Sequence, residues 1–146
     1  MRNPPVARFT AITLGVGDIE ESVAFYQALG FERRHRAAGD EVAFFDTGGT
    51  VIALHPRAKL AREADLPEKS FAFRGFTLAW NCSSTEEVDS VLKFAISKGA
   101  SLLKRARRTA YGGYAGYFVD PDGYAWEVVV APEIEVGDDG RLRLPD

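Results

Sequence analysis

Two ionisable side chains stand inside apolar, extended stretches of the sequence, where each could do chemistry. Glu127 lies in the stretch 125–130, four residues after the turn sequence at 120–123. A carboxylate on an apolar strand is costly unless it is hydrogen-bonded or acts as a general base. His55 precedes Pro56 at the end of another apolar stretch, where an imidazole is either a ligand or a satisfied structural side chain. Glu127 is therefore the candidate catalytic residue, with structural pairing as its alternative.

Composition narrows the class of protein. The chain has 146 residues, 46% of them hydrophobic, which suits a single domain covering 1–146. With 21 acidic and 18 basic residues the net charge is -3, so nothing favours nucleic acid or an anionic membrane as a partner. The basic run 104–108 is short, and we interpret it as a solvated strand end.

The sequence carries no sign of export. Cys82 is the only cysteine, so neither an intrachain disulfide nor a thiolate zinc cluster can form. Residues 1–5 lack the apolar run of a signal peptide, and no stretch approaches the roughly 18 apolar residues that span a bilayer. A cytoplasmic protein is therefore expected, with Cys82 as a small buried hydrophobe.

An internal repeat defines the elements that must position these side chains. The β-branched and apolar stretch 9–16 predicts a strand. Asp18 with Glu21 then forms a carboxylate variant of the helix capping box, and Gly30 is placed to end the helix.

The second half repeats this order of signals. The stretch 76–80 predicts a strand, Ser84 with Glu87 predicts a helix start, and Gly99 predicts its end. In each half a strand follows the helix directly, beginning at Phe31 in the first half and covering 101–104 in the second, and two further strands joined by a turn come after it.

Each half therefore follows the order β-α-β-β-β. We expect an α+β fold of two βαβββ modules, 9–56 and 74–131, forming a curved eight-stranded mixed sheet with helices outside and a concave inner cavity. Residues 57–73 are predicted to be a linker with a short helix. Residues 132–146 are predicted to be a C-terminal arm that makes a small hairpin or contacts a partner.

Two segments resemble the vicinal-oxygen-chelate superfamily. One is the opening 13–31, with its strand, Asp18, helix and Leu-Gly-Phe ending; the other is the closing Asp-Pro-Asp-Gly turn followed by Glu127. This superfamily includes glyoxalase I, extradiol dioxygenases, methylmalonyl-CoA epimerase, fosfomycin-resistance thiol transferases and bleomycin-binding proteins. The resemblance implies the paired-module fold and a homodimer, but a fold with so many chemistries leaves the reaction open.

The resemblance also implies where a metal would be held. Metal-using members place ligands, typically His or Gln, Glu, His and Glu, on the first and last strands of each half. The matching positions here are Ala11, Ala53, Phe76 and Glu127. A divalent ion needs about three or more converging donors, and a two-residue slip that adds His55 still leaves only two. We therefore expect a degenerate metal site with no metal and no cofactor.

Alternation along the strands predicts what lines the cavity instead, which is a mostly apolar trough with aromatic side chains and a few polar groups. Its predicted lining residues are Thr13, His55, Phe76, Trp80, Tyr117 and Glu127. The resemblance supports Thr13 and Tyr117, because fosfomycin-resistance members have a threonine and a substrate-facing tyrosine at the matching places. Tyr114 belongs to an aromatic, glycine-containing loop that is a candidate lid. For Phe76 and Trp80 the alternative is packing in the core.

Three functions follow from these expectations. The first, which we favour, is metal-independent binding of a small aromatic or amphipathic molecule in a homodimer. The second is an enzyme of the glyoxalase, epimerase or thiol-transferase type that uses a metal or Glu127 as a base. The third is a structural dimer module whose trough is filled by protein.

Overall fold

The computed structural model describes residues 4, 6, 8–36, 39–68 and 73–146. Within these described residues, the first module contains four strands and one helix, and a short helix follows it. These elements are β1 (Ala11–Val16), α1 (Ile19–Ala28), β2 (Glu32–Arg34), β3 (Ala43–Asp46), β4 (Val51–Pro56) and α2 (Arg57–Glu63). Part of the predicted linker, residues 69–72, lies outside the described residues.

The second module has the same order of elements, and a two-stranded hairpin follows it. These elements are β5 (Leu78–Asn81), α3 (Thr85–Ser97), β6 (Ser101–Arg108), β7 (Tyr114–Val119), β8 (Ala125–Val130), β9 (Glu135–Val136) and β10 (Leu142–Arg143). None of the described helices is long and apolar enough to cross a membrane.

Both long helices begin at the predicted caps. The Asp18 carboxylate accepts a hydrogen bond from the Glu21 backbone N–H at 3.1 Å. The Ser84 hydroxyl accepts one from the Glu87 N–H at 3.1 Å, and the Glu87 side chain accepts one from the Ser83 N–H at 2.8 Å. These reciprocal bonds satisfy N–H groups that a helix start otherwise leaves without partners.

The eight main strands form two mixed four-stranded sheets. The first sheet has the order β1-β4-β3-β2 and the second has the order β5-β8-β7-β6. In each sheet the first and last strands of the module pair in parallel and the remaining pairs are antiparallel. The predicted α+β class with two βαβββ modules is confirmed, with its strands divided between two sheets that do not close into a barrel.

One hydrophobic core joins the two modules. Tyr26 of α1 lies between the sheets, with its ring 6.0 Å from Phe45 of β3 and 6.1 Å from Trp126 of β8. Phe31 packs against Trp126 and Trp80 of the second sheet. We call the sheet faces that line this core the inner faces and the opposite faces the outer faces. Burial of these large rings holds the inner faces of the two sheets toward each other.

A buried hydrogen-bond network at the same place links the modules. The Tyr26 hydroxyl donates to the Asp120 carboxylate at 2.6 Å and accepts from the Trp126 indole N–H at 3.2 Å. Asp120 also accepts from the backbone N–H groups of Asp122 and Tyr124. Burial raises the pKa of Asp120 and raises the pKa of Tyr26 well above its usual value. The Asp-Pro-Asp-Gly turn is therefore a structural junction in this chain.

Candidate functional site

Tyr117 and Glu127 form a hydrogen-bonded pair on the outer face of the second sheet. They are directly opposite each other on β7 and β8, and the Tyr117 hydroxyl donates to the Glu127 carboxylate at 2.9 Å. The pKa of Tyr117 is raised, mainly because burial removes solvent from the phenol and secondly because of this hydrogen bond. The bond explains how an apolar strand accommodates a carboxylate.

Two cations from the edge strand β6 flank this pair. Lys104 is the β6 partner of Tyr117, and its ammonium group lies 6.0 Å from the centre of the tyrosine ring. Arg107 is the partner of Ala115, which shares the outer face with Tyr117. Neither cation forms an ion pair with a carboxylate within the described part of the chain. The sequence interpretation missed both residues, because the run 104–108 alone does not reveal which of its side chains face the site.

The register of β5 differs by one residue from the expected one. Ala79 is the partner of Glu127, so Ala79 shares the outer face with the Tyr117–Glu127 pair. Trp80 is the partner of Val128 and lies on the inner face, with its ring 5.7 Å from Phe31. A one-residue shift reverses the face of every side chain on a strand. The structure thus packs the partly buried Trp80 against the core, and a role of Trp80 in ligand binding stays a prediction.

Phe76 and Tyr114 also lie apart from the pair. The Phe76 ring is 5.7 Å from the Tyr124 ring, just before β5 begins. The Tyr114 hydroxyl donates to the Asp89 carboxylate of α3 at 2.7 Å, which places it on the helix side of the sheet. That hydrogen bond is the main reason why the pKa of Tyr114 is raised.

Thr13 and His55 lie on the outer face of the first sheet. Thr13 is exposed and is the partner of Ala53. The His55 imidazole lies 3.7 Å from the Glu63 carboxylate of α2, measured from Nε2 to Oε1. The α2 helix also approaches β1, where a Cβ on Gly15 would lie 3.1 Å from the Arg57 Cα. The imidazole therefore has a local partner in α2.

Comparison of the two modules locates the positions that the resemblance assigns to metal ligands. Thr13 opposite Ala53 in the first sheet corresponds to Ala79 opposite Glu127 in the second. Two residues earlier are Ala11 on β1 and Thr77 just before β5, so Thr77 rather than Phe76 is the counterpart of Ala11.

The residues at these four positions do not fit a divalent metal. Glu127 offers a carboxylate and Thr77 offers a neutral hydroxyl, while Ala11 and Ala53 offer no donor. Among the described residues, no three His, Cys, Asp or Glu side chains form a group able to hold a metal ion.

One chain does not bring the two sets of predicted trough residues together. Thr13 and His55 lie on the outer face of the first sheet, whereas Tyr117 and Glu127 lie on the outer face of the second. Because the inner faces share one core, the two outer faces point away from each other. Each outer face supplies half of the predicted trough.

Paired βαβββ modules with a carboxylate after an Asp-Pro-Asp-Gly turn define a class of folds whose members bind small molecules or metal ions. A family model of the glyoxalase/bleomycin resistance protein/dioxygenase superfamily matches residues 8–128, and the chain belongs to this superfamily.

Individual relatives agree with this assignment. The chain is 27% identical over 116 residues to the metallothiol transferase FosB of Lysinibacillus sphaericus, which covers 80% of this chain and 77% of that protein. It is similar to the structure of a glyoxalase-related enzyme from Fulvimarina pelagi, with a TM-score of 0.85, 29% identity and coverage of 97% and 100% of the two chains. A glyoxalase/bleomycin resistance protein/dioxygenase family enzyme from Burkholderia phytofirmans has a TM-score of 0.73, 26% identity and coverage of 84% and 97%.

Proposed function

We propose that this protein binds a small amphipathic molecule, without a metal, at the Tyr117–Glu127 pair. The observation that carries the proposal is the pair itself, a hydrogen-bonded phenol and carboxylate on a sheet face at the positions that the superfamily uses for ligands. The Tyr117 ring offers an apolar surface, and the Glu127 carboxylate can accept a hydrogen bond from a ligand donor.

The charges around the pair favour an acidic group on the ligand. Lys104 and Arg107 contribute two positive charges against the single negative charge of Glu127. An anionic ligand would find cations without carboxylate partners there, so it would not have to displace an existing ion pair. An aromatic acid fits this combination better than a neutral or cationic molecule.

We further propose that the complete site lies between two copies of the chain in a homodimer. The strands β1 and β5 are both at sheet edges, so each has an unpaired edge next to one half of the trough. A two-fold dimer would place the outer face of the first sheet of one copy beside the outer face of the second sheet of the other. Thr13 would then face Tyr117 and Glu127 across the interface.

Subunit mixing tests both parts of this proposal, with the aromatic sulfonate 8-anilinonaphthalene-1-sulfonate as the probe. The large side chain in Thr13→Trp would fill the half of the trough on the first sheet, and Tyr117→Ala would remove the aromatic ring from the half on the second sheet. Each variant alone should therefore lose saturable probe binding. A mixed dimer of the two variants contains one intact site and one doubly altered site. After subunit exchange, an equal mixture should regain about a quarter of the wild-type sites.

The control is the same mixture kept under conditions in which the subunits do not exchange. It should bind no probe. Wild-type protein without saturable binding would contradict the ligand proposal. Saturable binding by wild type with no recovery in the exchanged mixture would contradict the intersubunit site.

A metal-using thiol transferase is the second candidate function, and the printed name of the FosB relatives favours it. Its requirement for a metal conflicts with the donor set of Ala11, Ala53, Thr77 and Glu127. Thiol consumption with fosfomycin that depends on added Mn²⁺ and is lost in Glu127→Ala would establish it in place of simple binding.

A further inference from the structure

A cavity of about 540 Å³ lies at the carboxyl ends of the parallel strands β5 and β8, where the C-terminal arm turns back toward them. This volume is within the range of small-molecule sites. One wall is formed by Cys82 and Val130 of the second module, and another by Ile134, Glu135 and Arg143 of the arm. Described residues of a single chain therefore form both walls.

The cavity reaches the second sheet on its helix side rather than on its outer face. Val130 is the β7 partner of Tyr114, whose side chain contacts α3, so Val130 shares that side of the sheet. Cys82 is buried in the hydrophobic core. The Tyr117–Glu127 pair is on the opposite face of the same sheet, and neither of its residues lines this cavity. The cavity is therefore separate from the proposed trough.

Opposite charges face the cavity from the two strands of the arm hairpin. Glu135 of β9 and Arg143 of β10 are directly opposite each other, so their side chains are on one face of the hairpin. Asp138, in the turn between these strands, adds a second carboxylate to the lining. Within the described residues, none of these three side chains forms an ion pair. A ligand that carries both charges can therefore engage them without displacing an existing pair.

The turn of the hairpin leaves room for the guanidinium of Arg143 beside the cavity. The Gly137 N–H donates to the Arg141 carbonyl at 2.8 Å, and the Gly140 N–H donates to the Gly137 carbonyl at 2.9 Å. A Cβ on Gly137 would lie 3.1 Å from the Arg143 Nε and 2.8 Å from the Asp139 Oδ1. The guanidinium thus lies against a position that has no side chain.

We propose that this cavity binds a small zwitterion, namely a free α-amino acid with an apolar side chain. Arg143 would hold the carboxylate of the ligand through its planar fork, and Glu135 with Asp138 would hold the ammonium group. The apolar side chain of the ligand would lie against Ile134 and Val130. This site needs neither the trough nor a second copy of the chain.

Leucine is the probe, with isocaproate as its counterpart without the ammonium group and isoamylamine as its counterpart without the carboxylate. Binding is measured by NMR titration of the wild-type protein. Leucine should bind saturably with a dissociation constant in roughly the millimolar range, because the charged side chains are exposed and each contact with them is weak. Each counterpart should bind about fivefold more weakly than leucine, because it engages only one of the two charges.

Two substitutions test the charged side chains. Arg143→Gln and Glu135→Gln should each weaken leucine binding about fivefold. Arg141→Gln is the matched control for the arginine, because the stem of Arg141 rests on Gly49 of the first module, where a Cβ would lie 3.1 Å from the Arg141 Cγ. Glu133→Gln is the control for the glutamate, because Glu133 precedes the same hairpin but does not line the cavity.

Gly137→Ala is a further variant that keeps every charge. Its added methyl group would push the Arg143 guanidinium aside, so it should also weaken leucine binding while thermal melting shows a folded protein. In the wild type, leucine should shift the amide resonances of Ser83 and Ile134 and leave that of Tyr117 unchanged, which separates this site from the trough.

Four results would overturn the proposal. They are a lack of saturable leucine binding, a counterpart that binds as tightly as leucine, effects of Arg143→Gln and Glu135→Gln no larger than those of their controls, and resonance shifts centred on Tyr117.

Discussion

Tyr26 and Tyr117 each donate a hydrogen bond to a carboxylate, and the comparison shows how surroundings set the role of a residue. The Tyr26–Asp120 bond is buried between the modules, where both groups are fully surrounded by protein. The Tyr117–Glu127 bond is on an outer face and only partly buried. Solvent can reach the second pair but not the first.

The two tyrosines should therefore respond differently to loss of the hydroxyl. Tyr26→Phe removes the hydrogen bond to Oδ2 of the buried Asp120 carboxylate and the acceptor of the Trp126 N–H, so it should lower the free energy of unfolding by about 1–3 kcal/mol. Tyr117→Phe leaves Glu127 with access to water and should lower it by less than about 1 kcal/mol. Urea denaturation of both variants measures the difference, and equal losses would show that burial does not distinguish the pairs.

Among the secondary-structure elements, the contact between α3 and β7 depends on a glycine. A Cβ on Gly116 would lie 2.6 Å from the Leu92 side chain and 2.9 Å from the Ala106 backbone nitrogen. Ala106 lies in the irregular part of β6 between Lys104 and Arg107, where the pairing with β7 shifts. The bulged backbone thus fills the space that a side chain at position 116 would need.

Gly116→Ala should therefore destabilise the second module by about 1–3 kcal/mol, because the backbone of Ala106 cannot move aside as a side chain would. Gly17→Ala is the matched control, since a Cβ there meets only the Asp122 carboxylate at 3.6 Å. Thermal melting of the two variants is the measurement. If Gly116→Ala has the same melting temperature as the wild type, β6 can move away from α3 to make room for the methyl group.

At the scale of the whole molecule, the described residues place no second sheet against either outer face. If dimerisation covers them, folding is coupled to association, and the melting temperature depends on protein concentration. We expect the melting temperature of the wild type to rise over a hundredfold increase in concentration. A melting temperature that is constant over this range, together with a monomeric mass in solution, would contradict the homodimer.

The sequence alone determined the elements and their order, because the signals for them are local. The caps at Asp18 and Ser84 and the Asp-Pro-Asp-Gly turn act within a few residues, and the repeat of these signals predicted two βαβββ modules. The sequence also predicted that Glu127 is the single carboxylate at the four positions that the resemblance assigns to metal ligands, and the register of β5 changed one of these positions from Phe76 to Thr77.

Only the tertiary structure decided which side chains share a face and which faces meet. The one-residue difference in β5 placed Trp80 on the inner face against the core and Ala79 beside Glu127, because alternation converts a small register change into a change of face. The division of the predicted trough between two outer faces depends on the packing of Tyr26 against Trp126, 100 residues away in the chain. Contacts over such separations have no local signal, so the placement of Arg141 against Gly49 and of Lys104 beside Tyr117 could be found only in the folded molecule.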